Sequence, residues 1–286
     1  MNTNKIFLLT ALCGLTMSTV FGQSKSCCSK SKGSTEAFAM LGKSEVFQSA
    51  HELPLPFVYI SENGKSIQFK TADGTMSNAF EIKAAKPTNN YVLMIHEWWG
   101  LNSYIKQQAE SLQRELGNVN VIALDLYDGK LATTPEEAGK FMGEVKGERA
   151  SAIIKGALAY TGKNANIYTI GWCFGGGWSL QASILAGKQA SGCIVYYGQP
   201  ETDQVKLKSL NTDVLFIAAT QDQWISKEVV STFEKDMKTA GKKIVVKNYD
   251  ADHAFANPSN PKFNKIFAAD AHKQAVAFLK GHIRQG

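Results

Sequence analysis

The sequence has no concentrated run of basic residues, no internal repeat and no recognisable interdomain linker. Its net charge of +6 arises from lysines that are scattered among acidic residues over 286 positions. Nucleic-acid binding needs basic side chains gathered on one face, so no nucleic-acid partner is expected. A chain of this length with 44% hydrophobic residues can bury one full core. These features predict a single large α/β domain.

The sequence also lacks an apolar run that is long enough to predict a transmembrane helix. The run from Ile6 to Phe21 is too short and too rich in Thr and Ser, and it follows the positive charge of Lys5. A small-x-small site, Val20-Phe21-Gly22, ends it. We therefore expect residues 1–22 to be a signal peptide, the protein to be exported to the periplasm or the exterior, and no stable membrane span to remain after cleavage.

Cysteine is scarce, and only four of the five cysteines follow the predicted signal peptide. Cys27 and Cys28 lie in residues 23–50, a Cys/Ser/Lys-rich segment that the composition predicts to be a flexible tail. Metal binding, disulfide pairing and no role at all stay open for this pair, but no partner with metal-ligand spacing lies nearby, so neither a metal site nor a cofactor is expected. Their setting, like that of Cys13, makes a lipid anchor the less favoured alternative. Cys193 lies in an apolar, strand-like run and is expected in the core.

Strand-like and helix-like segments alternate through residues 51–286, which predicts a mostly parallel central sheet with helices on both faces. Three short strands separated by Asn63-Gly64 and Asp73-Gly74 predict an antiparallel meander before this sheet. The predicted meander strands are Phe57–Ile60, Ser66–Lys70 and Asn78–Ile82. The later predicted strands are Tyr91–Ile95, Val119–Leu124, Ile167–Ile170, Cys193–Tyr197, Val214–Ala219 and Lys243–Tyr249. The predicted helices are Tyr104–Leu116, Pro135–Tyr160 with a break near Gly147, one that begins near Trp178, Lys227–Thr239 and Lys265–His282.

The segment Gly171–Gly176, with the sequence Gly-Trp-Cys-Phe-Gly-Gly, lies between a predicted strand and a predicted helix. This pattern is a nucleophile elbow with cysteine at its apex, because an abrupt strand-to-helix turn strains the central residue and needs glycines around it. Cys173 is therefore the candidate nucleophile.

Polar residues that follow the next strands supply candidate partners for Cys173. Asp222 follows the strand that ends at Ala219, and His253 follows the strand that ends at Tyr249. The carboxyl ends of parallel strands meet at one edge of a sheet, so these side chains are expected to converge. The order of nucleophile, acid and base is that of an α/β-hydrolase triad, in which His253 accepts the thiol proton and Asp222 orients the imidazole.

Other interpretations of these residues remain open at this level. Asp222 could serve as a turn or cap residue, with Asp250 or Asp252 as the carboxylate that orients His253. The remaining histidines lack a comparable setting. His51 precedes the meander, whereas His272 and His282 fall on the last helix and are expected at the surface.

The loop after the Tyr91–Ile95 strand has the sequence His96-Glu97-Trp98-Trp99-Gly100. In an elbow hydrolase this loop supplies one backbone N–H of the oxyanion hole, and the residue after the nucleophile supplies the other. We therefore assign the N–H groups of Trp98 and Phe174 to that role. Glu97 is expected to face the same crevice as the thiol, with a helix cap or a surface ion pair as its alternative.

The chain resembles the dienelactone hydrolase family over about residues 55 to 284. The resemblance lies in His96–Asn102, Ala123–Tyr127, the elbow, Asp222 in Gln-Asp-Gln-Trp, and His253-Ala254-Phe255. It implies one α/β-hydrolase domain without a metal, which opens cyclic enol esters through a thioester acyl-enzyme. It also implies that Glu97 contacts the resting thiol and takes part in its activation.

One departure from the family bears on the substrate. The family carries an arginine four residues after the catalytic histidine, and this chain has Asn257 there. A neutral amide cannot pair with a carboxylate as a guanidinium does, so an anionic dienelactone is not the expected substrate. Trp99, Trp172 and Trp224 suggest an apolar crevice wall, with a purely structural role as the alternative.

The sequence therefore predicts an exported hydrolase of small-molecule esters or lactones with Cys173 as nucleophile. A non-catalytic binding protein on the same fold and a thiol-exchange protein are the alternatives. The sequence gives no indication of the oligomeric state.

Overall fold

The computed structural model describes Met1, residues 33–258 and residues 260–284. Cys27 and Cys28, and all of the predicted signal peptide except Met1, lie outside the described residues. Residues 33–258 and 260–284 belong to one compact unit. No helix in these ranges combines the length and the apolar character that crossing a membrane requires.

The centre of the fold is an eight-stranded sheet with the strand order β1-β2-β4-β3-β5-β6-β7-β8. The strands are β1 Gly64–Lys70, β2 Met76–Ile82, β3 Asn90–Ile95, β4 Asn120–Leu124, β5 Asn166–Trp172, β6 Ala190–Tyr196, β7 Val214–Ala219 and β8 Ile244–Tyr249. β2 pairs antiparallel with both β1 and β4, and every other pairing is parallel. The prediction of a mostly parallel sheet is confirmed.

The predicted antiparallel meander is a pair of strands, because Phe57–Ile60 does not form a strand. Pro54 and Pro56 precede this segment, and proline provides no N–H for a strand ladder. Val58 and Ile60 are exposed, so no buried face holds the segment against the sheet. β1 is therefore the last strand at this edge of the sheet.

Helices cover both faces of the sheet. They are α1 Ser34–Ala39, α2 Glu45–Ser49, α3 Ser103–Leu116, α4 Pro135–Glu144, α5 Gly147–Thr161, α6 Phe174–Ala186, α7 Gln204–Ser209, α8 Lys227–Thr239 and α9 Lys265–His282. Short 3-10 turns lie at Met40–Lys43 and Gly187–Gln189. The predicted break near Gly147 is confirmed, since Val145 leaves the helical conformation and α5 begins at Gly147. Cys193 lies fully buried in β6, as predicted.

The prediction of a flexible tail over residues 23–50 is wrong for residues 34–49, which form α1, a 3-10 turn and α2. Phe38 is 4% exposed and Phe47 is completely buried. Burying one such side chain stabilises the folded state by about 1.5–3 kcal/mol, which a disordered tail would forgo. At the start of α2 the Ser44 hydroxyl accepts a hydrogen bond from the Phe47 N–H, which caps the helix. Tertiary burial therefore orders a segment whose composition is typical of a tail.

Candidate active site

Four loops that follow sheet strands bring polar side chains to one edge of the sheet. Glu97 follows β3, Cys173 follows β5, Asp222 follows β7 and His253 follows β8. All four strands are parallel, so their carboxyl ends point the same way. Each side chain is at most 9% exposed. The four residues that the sequence selects are thus brought together in a buried site.

The turn at Cys173 has the strained backbone that the sequence predicts. Cys173 has φ 54° and ψ −119°, a conformation with positive φ that is rare for a residue with a side chain. A Cβ atom on Gly171 would lie 2.1 Å from the carbonyl oxygen of Gly175, and one on Gly175 would lie 2.3 Å from that of His96. Both positions therefore require glycine, and the turn holds Cys173 at the start of α6.

A series of hydrogen bonds links the thiol to a carboxylate through His253. The Nε2 atom of His253 lies 3.1 Å from Sγ of Cys173. On the other side of the ring, Nδ1 lies 2.6 Å from Oδ2 of Asp222. This geometry allows His253 to take a proton from the thiol while Asp222 fixes the imidazole tautomer.

Asp222 combines the two roles that the sequence left as alternatives. Its Oδ1 atom accepts hydrogen bonds from the N–H groups of Trp224 and Ile225, at 2.8 and 2.9 Å, while Oδ2 faces His253. Asp250 instead bonds to the side chains of Thr220 and Gln221, and Asp252 pairs with Lys262. Asp222 is therefore the carboxylate that contacts the His253 ring.

The charges of this buried site favour a protonated His253 beside an ionised Asp222. Burial, the largest single influence, lowers the pKa of His253, but the charges of Asp222 and Cys173 and the hydrogen bonds to both raise it well above 6.5. Burial is also the largest single influence on Asp222, whose pKa it raises. The charge of His253 and three hydrogen bonds lower the pKa by more, so the net shift is downward. The carboxylate thus stabilises an imidazolium.

His96 fixes the loop that carries Glu97. Its Nε2 atom accepts the N–H of Leu126 at 3.1 Å, so Nδ1 carries the proton and donates to the carbonyl oxygen of Glu97 at 2.8 Å. Burial lowers the pKa of His96, which keeps the ring neutral and this tautomer in place. The ring therefore ties the loop after β3 to the loop after β4.

Glu97 is a buried carboxyl, neither a helix cap nor a surface ion-pair partner. Burial raises its pKa to about 7, against the opposing effects of the His253 charge and a hydrogen bond with the Asn257 side chain. The negative charges of Glu97 and Cys173 both raise the pKa of Tyr127, after burial as the main cause. Glu97 and the thiol therefore share one low-dielectric environment, and Glu97 titrates near neutral pH.

Asn257 lies 6% exposed and hydrogen-bonds to Glu97. A guanidinium in its place would add a positive charge beside the carboxylate and favour the ionised form. The neutral amide provides a hydrogen bond without that charge. The raised pKa of Glu97 is thus consistent with an asparagine, and not the family's arginine, at position 257.

Phe174 and Trp98, whose N–H groups the sequence assigns to the oxyanion hole, directly follow Cys173 and Glu97 in the chain. Phe174 is the first residue of α6, so its N–H has no acceptor within the helix, and the positive end of the helix dipole lies there. Trp98 is fully buried, and its carbonyl oxygen accepts a hydrogen bond from the Tyr127 hydroxyl at 3.3 Å.

The three tryptophans predicted as a crevice wall differ in position. The ring of Trp224 lies edge-on to His253, with centroids 5.2 Å apart. Trp99 packs against Trp98, and Trp172 packs against Tyr196. Only Trp224 of the three makes a ring contact with His253 within the described residues.

The structure adds residues 34–51 to the site, which sequence reasoning missed. The Phe47 ring lies 5.2 Å from Trp98 and 4.8 Å from Trp224, and the His51 ring stacks on Trp98 at 4.6 Å. His51 also lies 6.1 Å from His253, centroid to centroid. The sequence signal is the presence of large apolar residues, including Phe38 and Phe47, in a segment that is rich in small and polar residues.

These residues almost close the site. Cys173 is 1% exposed and His253 is 4% exposed. A cavity of about 90 Å³ remains beside His253, and His51 and Trp224 also line it. Its rim includes the exposed residues Val46 and Gln223, so it opens towards the surface.

Comparisons with known proteins give the family of the chain. The sequence profile of the dienelactone hydrolase family matches residues 78–283, well over half of the chain. Protein usf of Aquifex pyrophilus is 28% identical over 205 residues, which cover 67% of this chain and 88% of that protein. A carboxymethylenebutenolidase of a Pseudomonas species is 27% identical over 146 residues, 48% of this chain and 58% of that protein.

A solved structure has the same fold. It is a dienelactone hydrolase-like promiscuous phosphotriesterase from metagenomic libraries, with a TM-score of 0.64, 16% identity, and coverage of 77% of this chain and 99% of that chain. This likeness shows the fold, and the match to the family profile shows the family. The chain belongs to the dienelactone hydrolase family and is a hydrolase of carboxylic esters or lactones.

Proposed function

We propose that the protein hydrolyses small, activated esters or lactones through a catalytic triad of Cys173, His253 and Asp222. The observation that carries this proposal is the continuous hydrogen-bonded series from Sγ of Cys173 through His253 to Asp222, with separations of 3.1 and 2.6 Å. Nucleophile, base and orienting carboxylate lie within direct reach of one another, which is the arrangement that acyl transfer requires.

The reaction follows from these positions. Sγ of Cys173 attacks the acyl carbon, and the proton that it shares with His253 stays on Nε2 of the imidazolium. The N–H groups of Trp98 and Phe174 stabilise the oxyanion. Collapse expels the alkoxide or enolate, which takes the proton from His253 and leaves a thioester on Cys173. His253 then deprotonates a water that attacks the thioester, which releases the acid and restores the thiol.

Glu97 gives this site a second proton-binding group, and we assign it a role in controlling the thiol. With a pKa of about 7, it is protonated in an appreciable fraction of molecules at neutral pH. Ionisation adds a negative charge to the low-dielectric environment in which the sulfur attacks and the oxyanion forms. The neutral form of Glu97 therefore suits attack by the thiolate.

The substrate class follows from the cavity and from Asn257. The cavity of about 90 Å³ beside His253 has room for a small substrate group only, and the ring of Trp224 supplies an apolar wall. Asn257 offers a neutral amide in place of the family arginine. Neutral lactones and esters are therefore proposed as better substrates than anionic ones. A cysteine nucleophile favours acyl groups with good leaving groups, so amides rank lower.

The experiment compares hydrolysis of p-nitrophenyl acetate and a neutral enol lactone by the wild-type protein, Cys173→Ala and Cys193→Ala. Cys193 is the matched control, because it is buried in β6 and lies outside the hydrogen-bonded series. We expect Cys173→Ala to lose at least ~10²-fold in kcat/KM, since it removes the nucleophile. Cys193→Ala should stay within a few fold of wild type. Unchanged activity in Cys173→Ala would refute the proposal.

Export is a separate proposal, supported by the charged, apolar and small-residue pattern of residues 1–22. Mass spectrometry of the protein recovered from its native host should find Gln23 at the N-terminus. Recovery of the mature chain with residues 1–22 intact would contradict it.

A further inference from the structure

His51, Cys173 and His253 form a cluster that the hydrolytic reaction does not fully use. Each offers one ligand atom, and the three atoms lie within 4.8 Å of one another. All three residues are buried. Thiolate sulfur and imidazole nitrogen are the ligands that zinc prefers in proteins.

Hydrogen bonds occupy Nδ1 of both histidines. Nδ1 of His51 lies 2.6 Å from the carbonyl oxygen of Phe47, and Nδ1 of His253 lies 2.6 Å from Asp222. Metal-binding histidines commonly donate their second N–H to a carbonyl or carboxylate in this way. Nε2 is then the atom of each ring that can coordinate a metal, which on His253 requires loss of the proton shared with Cys173.

Nε2 of His51 is buried and has no hydrogen-bond partner within the described part of the chain. His51 is 5% exposed, so water does not readily compensate this atom. Such an orphaned acceptor, beside a thiol and a second imidazole, points to a ligand that the protein side chains do not supply.

We propose that His51, Cys173 and His253 bind a zinc ion that switches the hydrolase off. Ligand atoms around tetrahedral zinc lie roughly 3.3–3.8 Å apart, as follows from bond lengths of about 2.0–2.3 Å. The Cys173 and His253 atoms are 3.1 Å apart, and the His51 atom lies within 4.8 Å of both. A shift of about 1 Å, mostly of His51, completes the three-ligand set.

The cavity provides the fourth position and a route for the ion. It is lined by His51 and His253 and has a volume of about 90 Å³, enough for a coordinated water. Coordination of Sγ and Nε2 displaces the proton that Cys173 and His253 share, so one proton is released to solvent for each zinc bound. The bound sulfur can no longer attack an acyl carbon. The site also ties residues 34–51 to the elbow.

The binding part of this inference does not depend on the proposed hydrolysis, whereas the switching part does. Cobalt(II) serves as the spectroscopic probe, because thiolate coordination gives a charge-transfer absorption band without any turnover. All measurements use the full chain with Cys27→Ser and Cys28→Ser, so that these two thiols cannot contribute. The variants are His51→Gln, His51→Phe, Cys173→Ser and the control His272→Gln. His272 is an exposed histidine paired with Glu115.

We expect one equivalent of cobalt(II) to give the thiolate band, Cys173→Ser to abolish it, and both His51 variants to weaken binding at least ~10-fold. His272→Gln should bind as the parent chain does. His51→Phe keeps an aromatic ring on Trp98 and guards against unfolding of the Gln variant. Equal binding by a folded His51 variant, or absence of the band, would overturn the site.

X-ray absorption of the zinc form adds a test that needs no variant. One sulfur and two imidazoles are expected around the ion, and a single imidazole would overturn the proposal. Zinc should also abolish ester hydrolysis, and a chelator should restore it. If the band forms but the protein shows no hydrolysis at any zinc concentration, the zinc site stands and the proposed function fails.

Discussion

The raised pKa of Glu97 makes a quantitative prediction about stability. The folded protein binds a proton at Glu97 more tightly than the unfolded chain does, so this residue destabilises the fold as pH rises from about 4.5 to about 7. The difference between a pKa of about 7 in the fold and 4.5 in the unfolded chain corresponds to about 3 kcal/mol. Glu97→Gln keeps the size and the hydrogen-bonding oxygen of the protonated form and removes the ionisation. The variant should therefore match wild type near pH 4.5 and exceed its stability by about 3 kcal/mol above pH 7.

Urea denaturation at a series of pH values between 4.5 and 8.5 measures this difference. Glu234→Gln is the matched control, because Glu234 is exposed on α8, and its effect should stay within about 0.5 kcal/mol at every pH. A gap between wild type and Glu97→Gln that stays constant with pH would refute the reasoning. The reasoning would also be refuted if the stability of Glu97→Gln relative to wild type were lower above pH 7 than below pH 5.

Three further substitutions test other parts of the site. Asn257→Arg places a positive charge beside Glu97, so the ratio of kcat/KM for anionic over neutral lactones should rise at least ~10-fold; no change would contradict the role given to Asn257. Phe47→Ala removes a fully buried ring over the site, so the free energy of unfolding should fall by about 3–5 kcal/mol and iodoacetamide should label Cys173 faster; a loss under about 1 kcal/mol would show that α2 does not pack as described. Gly175→Ala puts a Cβ 2.3 Å from the carbonyl oxygen of His96, so urea denaturation should show a loss of about 2 kcal/mol or more, and wild-type stability would contradict the elbow geometry.

The positions of Cys173, Asp222 and His253 could be predicted from the sequence because they depend on local patterns. The glycines around Cys173 mark a turn that only one backbone geometry satisfies. Asp222 and His253 follow strands with strong apolar runs, and a parallel sheet must bring their ends together. The α8 and α9 bounds were predicted for the same reason, since both helices carry clear periodicity and end signals.

The packing of residues 34–51 over the site could not be predicted, because it depends on contacts with residues far away in the sequence. Residues 34–49 are rich in small and polar residues, and Phe47 is buried against Trp98 and Trp224, which lie far from it in the sequence. His51 acquires its neighbours in the same way. Conversely, Phe57–Ile60 has strand-like composition but lacks a partner strand, and local propensity alone does not supply one.

The contact of Asn257 could not be predicted from the sequence either. The sequence identifies it as a departure from the family, but its hydrogen bond to Glu97 depends on how the loops after β3 and β8 meet. The pKa of Glu97 likewise follows from burial, which composition does not reveal.

The most direct test of the account is mass spectrometry of the acyl-enzyme. The wild-type protein is mixed with excess p-nitrophenyl acetate, quenched in acid within one turnover and digested. The account predicts one acetyl group, carried as a thioester on the peptide that contains Cys173, and its absence in Cys173→Ala. Acetylation at another residue, or turnover of the ester without any acetyl group on Cys173, would contradict the account.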